Sequence, residues 1–220
     1  MSSMFKTITP KSATQVPEPP IARFLFADTR MAWFWLIVRV YVAYEWFTAG
    51  WEKLTGTSIN LTTFGQKTGS PWVFNNLPAH QQVMYFFATS AAKEAMGAHP
   101  AVQQWYANFL TTFVAPQPVF WSYVITFGEL AVGLGLLVGC LTGIAAFFGL
   151  VMNFNYLLAG AVSTNPILGF LALLLILAWR IAGYYGIDRY LLPLLGTPWT
   201  GSLAKKESVN APSAKQIVTA

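Results

Sequence analysis

The sequence predicts an all-α integral membrane protein built on a bundle of four membrane-spanning helices. Only 10% of its 220 residues are charged, against roughly 25% in an average soluble domain. Hydrophobic residues make up 55% and aromatic residues 16%, with nine Trp, as expected for aromatic belts at both membrane interfaces. Helices are the plausible spanning form, because a bilayer offers no partner for backbone polar groups. Four apolar stretches, each close to the ~20 residues needed to cross ~30 Å of hydrocarbon, are 31–51, 119–138, 141–162 and 166–184.

The connections between the last three stretches are short. Few residues separate the second from the third, so these two should form a tight antiparallel hairpin. Gly135, Gly139 and Gly143 recur every four residues there, which would leave a bare face for another helix to approach. Residues 163–165 form a second short turn before the fourth stretch.

Basic residues predict the orientation. They lie before the first stretch and after the fourth, and four spans place both ends on one side. Cytoplasmic segments carry an excess of Lys and Arg. We therefore expect a membrane domain over 31–200, with cytoplasmic tails at 1–30 and 201–220. These basic residues are Lys6, Lys11, Arg23, Arg30, Arg189, Lys205, Lys206 and Lys215.

The segment 52–118 is then a long extracytoplasmic connection, and a loop of this length needs structure of its own. Val102, Trp105, Phe109 and Phe113 recur at helical spacing, which predicts an amphipathic helix at the membrane surface. Residues 81–96 are a candidate for a second helix. Two interpretations stay open: the connection packs over the bundle, or it forms a lid over a lateral entrance.

Several functions are disfavoured by what the sequence lacks. The sequence has no stripe of basic residues with interleaved aromatics, the pattern that indicates nucleic-acid binding. The single cysteine, Cys140, lies in an apolar run and allows no intramolecular disulfide. His80 and His99 both lie in the outer connection, so no axial pair is available for a haem in the bundle. No metal-binding, flavin or other dinucleotide motif occurs, and we expect neither metal, haem nor flavin.

The candidate catalytic residues are Glu129 and Arg39, since ionisable groups within membrane spans are costly and usually paired or functional. A structural ion pair of Arg39 with Glu129 or with Glu45 is the alternative. The other candidate binding residues are polar or aromatic side chains that could face the bundle interior. They are Trp46, Lys53, Asn153, Tyr156, Trp179, Arg180 and Tyr184.

Simpler roles remain open for some of these. Asn153 and Asn155 can bond between helices. Arg180 can extend to the membrane interface, and Asp188 with Arg189 can be a surface pair that ends the helix. Together the inward-facing groups could bind a polar head group or a quinone ring and move protons, and they include no redox centre.

Three segments resemble the DoxX/DoxD family. Arg39 followed by Gly50-Trp51-Glu52-Lys53-Leu54 is similar to the first helix of that family. The run 128–139, GELAVGLGLLVG, is similar to the second helix. Ala178-Trp179-Arg180, Gly186-Ile187-Asp188-Arg189, Leu192-Pro193 and Gly196-Thr197-Pro198-Trp199 resemble the fourth helix and its exit. The similarity covers about residues 30–200.

The resemblance implies a four-helix membrane protein. Its best-defined relatives are membrane subunits of thiosulfate:quinone oxidoreductase, which pass electrons from thiosulfate to a quinone. The helix-bearing insert at 55–118 favours the DoxD-like side of the family. We therefore expect a multi-pass protein of the prokaryotic cytoplasmic (inner) membrane, with a quinone as diffusible acceptor, contacts to membrane lipids, and a second subunit or larger complex as partner.

Three functions follow. The first is a quinone-linked oxidoreductase subunit in which Arg39 and Glu129 supply a hydrogen bond and a proton, while Trp46, Tyr156 and Trp179 pack the ring. In this first hypothesis, Lys53 or Arg180 would attract an anionic sulfur substrate. The second is a non-catalytic anchor or accessory subunit of a redox or photosynthetic complex. The third is a small-solute carrier.

Overall fold

The computed structural model describes residues 18–195, and within them the chain is helical, with an isolated bridge between Thr57 and Lys67 but no strand. Short 3-10 turns occur at Thr29–Met31 and Ala79–Gln81, and a π-helical segment at Leu110–Val114. The α-helices are α1 (Pro20–Ala27), α2 (Ala32–Thr55), α3 (Val83–Glu94), α4 (Gln104–Phe109), α5 (Pro118–Val138), α6 (Thr142–Leu158), α7 (Asn165–Leu177), α8 (Trp179–Ala182) and α9 (Asp188–Leu194).

Helices α2 and α5 form the most extensive helix pair of the fold. Two glycines allow their close approach. A Cβ atom at Gly50 would lie 2.8 Å from Leu130 Cγ, and one at Gly133 would lie 2.6 Å from the backbone nitrogen of Phe47. Helix α2 ends at Gly56, whose φ of 71° is the left-handed conformation that favours glycine at a helix end.

Helices α5 and α6 form the tight hairpin that the sequence predicts. Gly139 ends α5 with a φ of 66°, and Leu141 follows with a φ of 49°. Of the three glycines expected to share a bare helix face, Gly139 therefore lies in the turn instead. Gly143 does permit a close approach, since a Cβ there would lie 2.7 Å from Trp179 Cβ.

The expected fourth stretch is divided between α7 and α8. Helix α7 ends at Leu177, Ala178 breaks the regular geometry, and α8 continues to Ala182. Helix α7 packs along α6. The two expected tails lie largely outside the described residues, but Pro20–Ala27 within the first of them is helical, and Trp35 Nε1 donates to the carbonyl of Leu25 in it at 2.8 Å.

Among residues 18–195, one helix is long and apolar enough to cross a membrane, Pro118–Val138 with a mean hydropathy of 1.6. Thr142–Leu158 and Asn165–Leu177 are apolar but shorter. Helix α2 has 24 residues, long enough to cross, but it carries Arg39, Glu45, Glu52 and Lys53.

The outer connection has its own small core of buried residues, Met84, Val102, Tyr106, Leu110 and Val114, beside the main core of the bundle. The expected helices are present, as α3 and as α4 with its π-helical continuation. The four apolar residues at helical spacing do not share one buried face, since Val102 is buried and two others are exposed. Trp105 and Phe113 are 62% and 59% exposed. The π-helical segment changes the helical period at Leu110, so a regular 3.6-residue stripe does not describe this face.

Candidate functional site

A buried carboxylate links three helices at the centre of the candidate site. Glu129 of α5 is 1% exposed, and its Oε2 lies 2.6 Å from Lys53 Nζ of α2. Its other oxygen, Oε1, accepts a hydrogen bond of 2.6 Å from the Tyr156 hydroxyl of α6. Oε2 is thus in an ion pair and Oε1 in a hydrogen bond, each with a group from a different helix.

The close approach of α2 and α5 brings this pair together. A Cβ at Gly50 would also lie 3.1 Å from Glu129 Cβ, so the absence of a side chain at Gly50 makes room for the carboxylate. Lys53 follows Gly50 by three residues and lies on the same side of α2. Its side chain is 17% exposed, so the ammonium lies near the surface at the end of α2.

The outer connection covers the ion pair. The Trp72 backbone nitrogen donates to the carbonyl of Lys53 at 2.8 Å, which fixes the returning loop on the end of α2. The Trp72 ring centroid then lies 4.9 Å from Lys53 Nζ, a cation–π contact. Phe87 of α3 meets the Tyr156 ring edge-on at 6.4 Å. Sequence reasoning missed Trp72, because nothing in the pattern places a loop residue over a lysine.

A layer of partly unsatisfied polar groups lies below Tyr156. The Trp46 ring stacks on Tyr156 with centroids 6.4 Å apart, and Trp46 Nε1 has no hydrogen-bond partner among the described residues. Asn153, one turn before Tyr156 on α6, is 0% exposed and its amide also lacks a partner there. Tyr156 and Trp46 are therefore in contact, and Asn153 lies one helical turn from Tyr156 on α6.

Two further hydroxyls share the face of α5 that carries Glu129. Ser122 and Thr126 precede Glu129 by seven and three residues, are 0% exposed, and have no hydrogen-bond partner among residues 18–195. By contrast, Thr55 and Thr111 bond back to their own helices. Helical spacing from Glu129 is the signal that identifies this polar stripe.

Arg39 lies at the opposite end of the bundle. It precedes Lys53 by fourteen residues, about 21 Å along the axis of α2. Its side chain is 1% exposed and Nη2 donates to the carbonyl of Tyr185 at 2.9 Å. The interpretation that Arg39 pairs with Glu129 or Glu45 is therefore wrong. Glu129 of α5 is already bound by Lys53 and Tyr156, and Glu45 lies at another level of α2.

Asp188 is buried at the same end of the bundle as Arg39. The interpretation of Asp188 and Arg189 as a surface pair is therefore wrong for Asp188. Its carboxylate accepts from the backbone nitrogens of Leu141 at 2.6 Å and Thr142 at 2.8 Å, which caps the start of α6. Trp179 packs against Gly143 at this end. Arg180 is an exposed group that faces Glu18 at 3.8 Å, and Tyr184 lies under the Arg189 guanidinium at 5.1 Å. Trp179, Arg180 and Tyr184 therefore do not join Glu129.

Among the described residues outside the expected spans, Asp28, Arg30 and Tyr106 have shifted pKa values. The hydrogen bond to Asp28 raises the pKa of Arg30. Hydrogen bonds from the Arg30 side chain and backbone lower the pKa of Asp28 to about 2. Burial raises the pKa of Tyr106 to about 12, and its hydroxyl donates to Asn155 Oδ1 at 2.8 Å. This bond joins α4 to α6 at the residue before Tyr156.

The network of Lys53, Glu129 and Tyr156 can hold a proton and deliver it through a hydroxyl. A carboxylate between an ammonium and a phenol has two adjacent proton donors, and the covering aromatics limit access of water. Within the described residues, no three His, Cys, Asp or Glu side chains cluster to hold a metal ion.

A comparison with protein-family models matches the DoxX family over residues 34–162. The matched region contains Lys53, Glu129 and Tyr156. Comparisons with curated proteins and with solved structures found no match. Because the family match covers more than half of the 220 residues, the chain belongs to the DoxX family, a membrane family associated with redox- and quinone-related proteins.

Proposed function

We propose that the protein is a membrane subunit of a quinone-linked oxidoreductase, and that Glu129 exchanges the protons that quinone reduction requires. The observation that carries the proposal is the buried contact of Glu129 with both Lys53 and Tyr156, at 2.6 Å each. An ionisable group costs free energy in a membrane helix, so its presence at this depth favours a functional role.

The proposal places α2, α5, α6 and α7–α8 as four spans of the bilayer. Their outward faces support this, because they expose large apolar side chains while the polar groups face inward, the reverse of a water-soluble bundle. These outward side chains include Ile37, Phe127, Leu134, Phe147, Phe154, Phe170 and Leu177. Lipid would contact this apolar surface.

The basic residues that flank the bundle in the sequence support an orientation with both termini in the cytoplasm. The Lys53–Glu129 site then lies toward the extracytoplasmic side, in the cytoplasmic membrane of a prokaryote. The outer connection, with Trp72 and Phe87, would shield the site from that side.

The reaction we propose is transfer of electrons from thiosulfate to the quinone. Two thiosulfate ions lose one electron each and join as tetrathionate, while the quinone takes up two electrons and two protons to become the hydroquinone. Tyr156 and Glu129 would relay protons, and Lys53 would stabilise the carboxylate left behind. The side chains of Tyr156, Glu129 and Lys53 do not carry electrons stably, so a second subunit would oxidise the thiosulfate.

Purification in mild detergent, followed by mass spectrometry of bound proteins, lipids and quinones, tests the proposal. Bound quinone, and thiosulfate-dependent quinone reduction that Glu129→Gln abolishes, would support it. Glu45→Gln is the matched control, since Glu45 is a partly buried carboxylate of α2 outside the network. Full activity of Glu129→Gln would rule out the proton role.

The second candidate is a non-catalytic anchor of a larger redox or photosynthetic complex. The exposed aromatic side chains of the outer connection favour it, with Trp105 62% and Phe113 59% exposed. In that case Trp105→Ala would abolish co-purification of the partner, whereas Glu129→Gln would have no effect on the activity of the complex.

A further inference from the structure

Asn153 is a buried amide whose hydrogen-bonding groups are unused by the protein. The side chain is 0% exposed, and neither Nδ2 nor Oδ1 has a partner among the described residues. Its neighbour Asn155 differs, because Nδ2 of Asn155 donates to the Val151 carbonyl at 2.7 Å and Oδ1 accepts from Tyr106. A buried amide without partners costs free energy, so a group that supplies them would stabilise this site.

The same side chain lines a cavity between α6 and α7. The cavity has a volume of about 200 Å³ and is otherwise lined by apolar atoms, including those of Leu150, Leu157, Gly169 and Leu173. Phe154 and Phe170 stand at its rim and are 56% and 61% exposed on the outer face of the bundle. The cavity therefore combines one polar residue with an opening toward the surrounding bilayer.

We infer that this cavity binds the ring of a quinone, with the Asn153 amide on a ring oxygen; the inference rests on the proposed function and specifies where its substrate binds. An amide suits both redox forms, because Nδ2 can donate to a quinone carbonyl and Oδ1 can accept from a hydroquinone hydroxyl. A lipid acyl chain would leave both atoms unpaired. The isoprenoid tail would leave between Phe154 and Phe170 into the membrane.

The position of the cavity relative to Glu129 fits this assignment. Tyr156 follows Asn153 by one turn, about 5 Å along α6, and its hydroxyl bonds Glu129 Oε1. Trp46 stacks on Tyr156 on the same side of α6. The ring would therefore lie about one helical turn from the proton-exchanging network.

Two substitutions test the assignment. Asn153→Leu removes both polar atoms and keeps the volume. Gly169→Val narrows the cavity, and its Cβ is accommodated, since it would lie 3.6 Å from Asn153 Cβ. Gly128→Val is the matched control: it narrows the groove of about 390 Å³ between α5 and α6 that Gly128 and Met152 line, and its Cβ would lie 3.5 Å from Met152 Sδ.

The measurement is the Kd of a benzoquinone with one isoprene unit, from quenching of tryptophan fluorescence in the purified full-length chain. We expect Asn153→Leu to raise Kd about tenfold, as for the loss of one hydrogen bond, without lowering Tm. Gly169→Val should raise Kd at least as much, and Gly128→Val should leave it unchanged.

The outcomes separate this inference from the proposed function. If the wild-type chain binds the quinone, and Glu129→Gln alters Kd while Asn153→Leu and Gly169→Val do not, the ring binds elsewhere and only this inference fails. Only this inference fails, too, if Gly128→Val is the variant that loses quinone binding. If the wild-type chain binds no quinone, the proposed function fails as well.

Discussion

Lys53 and Glu129 meet across the contact between α2 and α5, with Nζ and Oε2 2.6 Å apart. The carboxylate is almost fully buried, whereas the lysine side chain is 17% exposed. The pair therefore joins the interior of the bundle to the outer connection, whose Trp72 ring lies on the ammonium.

Breaking this pair should destabilise the protein more than removing it. Lys53→Met leaves a buried carboxylate without its cation, and a loss of about 3–5 kcal/mol in the free energy of unfolding is expected. The double variant Lys53→Met with Glu129→Leu should recover most of that loss. Unfolding in detergent would measure the free energy of unfolding of the single and the double variants. A double variant whose loss equals the sum of the losses of Lys53→Met alone and Glu129→Leu alone would show that the groups do not interact.

The glycine contact between α2 and α5 should tolerate no side chain. Gly133→Ala would place Cβ 2.6 Å from the Phe47 nitrogen, so the helices must separate, at a cost of about 1–3 kcal/mol. Gly128→Ala on the same helix meets Met152 only at van der Waals distance and should change the unfolding midpoint little. Equal midpoints for the two variants would contradict the observed helix contact.

Tyr106 should make the protein sensitive to alkaline pH. Its pKa is about 12 in the folded protein, against an ordinary value of 10.0. The unfolded chain therefore loses this proton first, and stability present below pH 10 should fall as the pH rises toward 12. Tyr106→Phe removes this contribution, so thermal unfolding of this variant should vary less with pH over that interval. Identical pH profiles would show that Tyr106 is not the group responsible.

Asp188 should support the fold and not the proposed quinone site. Asp188→Asn removes the charge that caps α6, and a loss of about 1–2 kcal/mol in stability is expected. Because Asp188 lies at the Arg39 end, the Kd for the quinone should stay within the error of the wild-type value. A large change in Kd with no loss of stability would place the ligand at this end instead.

Much of the helical organisation was predictable from the sequence. Apolar length predicted the helices at Pro118–Val138 and Thr142–Leu158, and the few intervening residues predicted their hairpin. The split of the fourth stretch at Ala178 was not predictable, since Ala is a good helix former. Trp179, which follows the break, packs on Gly143 of α6, a contact between residues far apart in the chain.

The candidate site was predicted as a set of residues but not as an arrangement. Lys53, Glu129, Tyr156 and Trp46 contact one another in sequence. Asn153 lies one turn from Tyr156 on α6, while Arg39 and Arg180 belong to the other end. Helical spacing relates residues on one helix, but it carries no information on which levels of two helices face each other. The α2–α5 register depends on Gly50 and Gly133, whose effect appears only when the partner helix is in place.

The sequence by itself determined the family, the helical class and the scarcity of intramembrane charge, because these depend on composition and on local periodicity. Only the tertiary structure decided that Glu129 binds Lys53 and Tyr156 and that Arg39 binds the Tyr185 carbonyl. The physical reason is that pairing of buried charges requires contact within about 4 Å, and such distances are fixed by the rotation and depth of helices that are far apart in the chain.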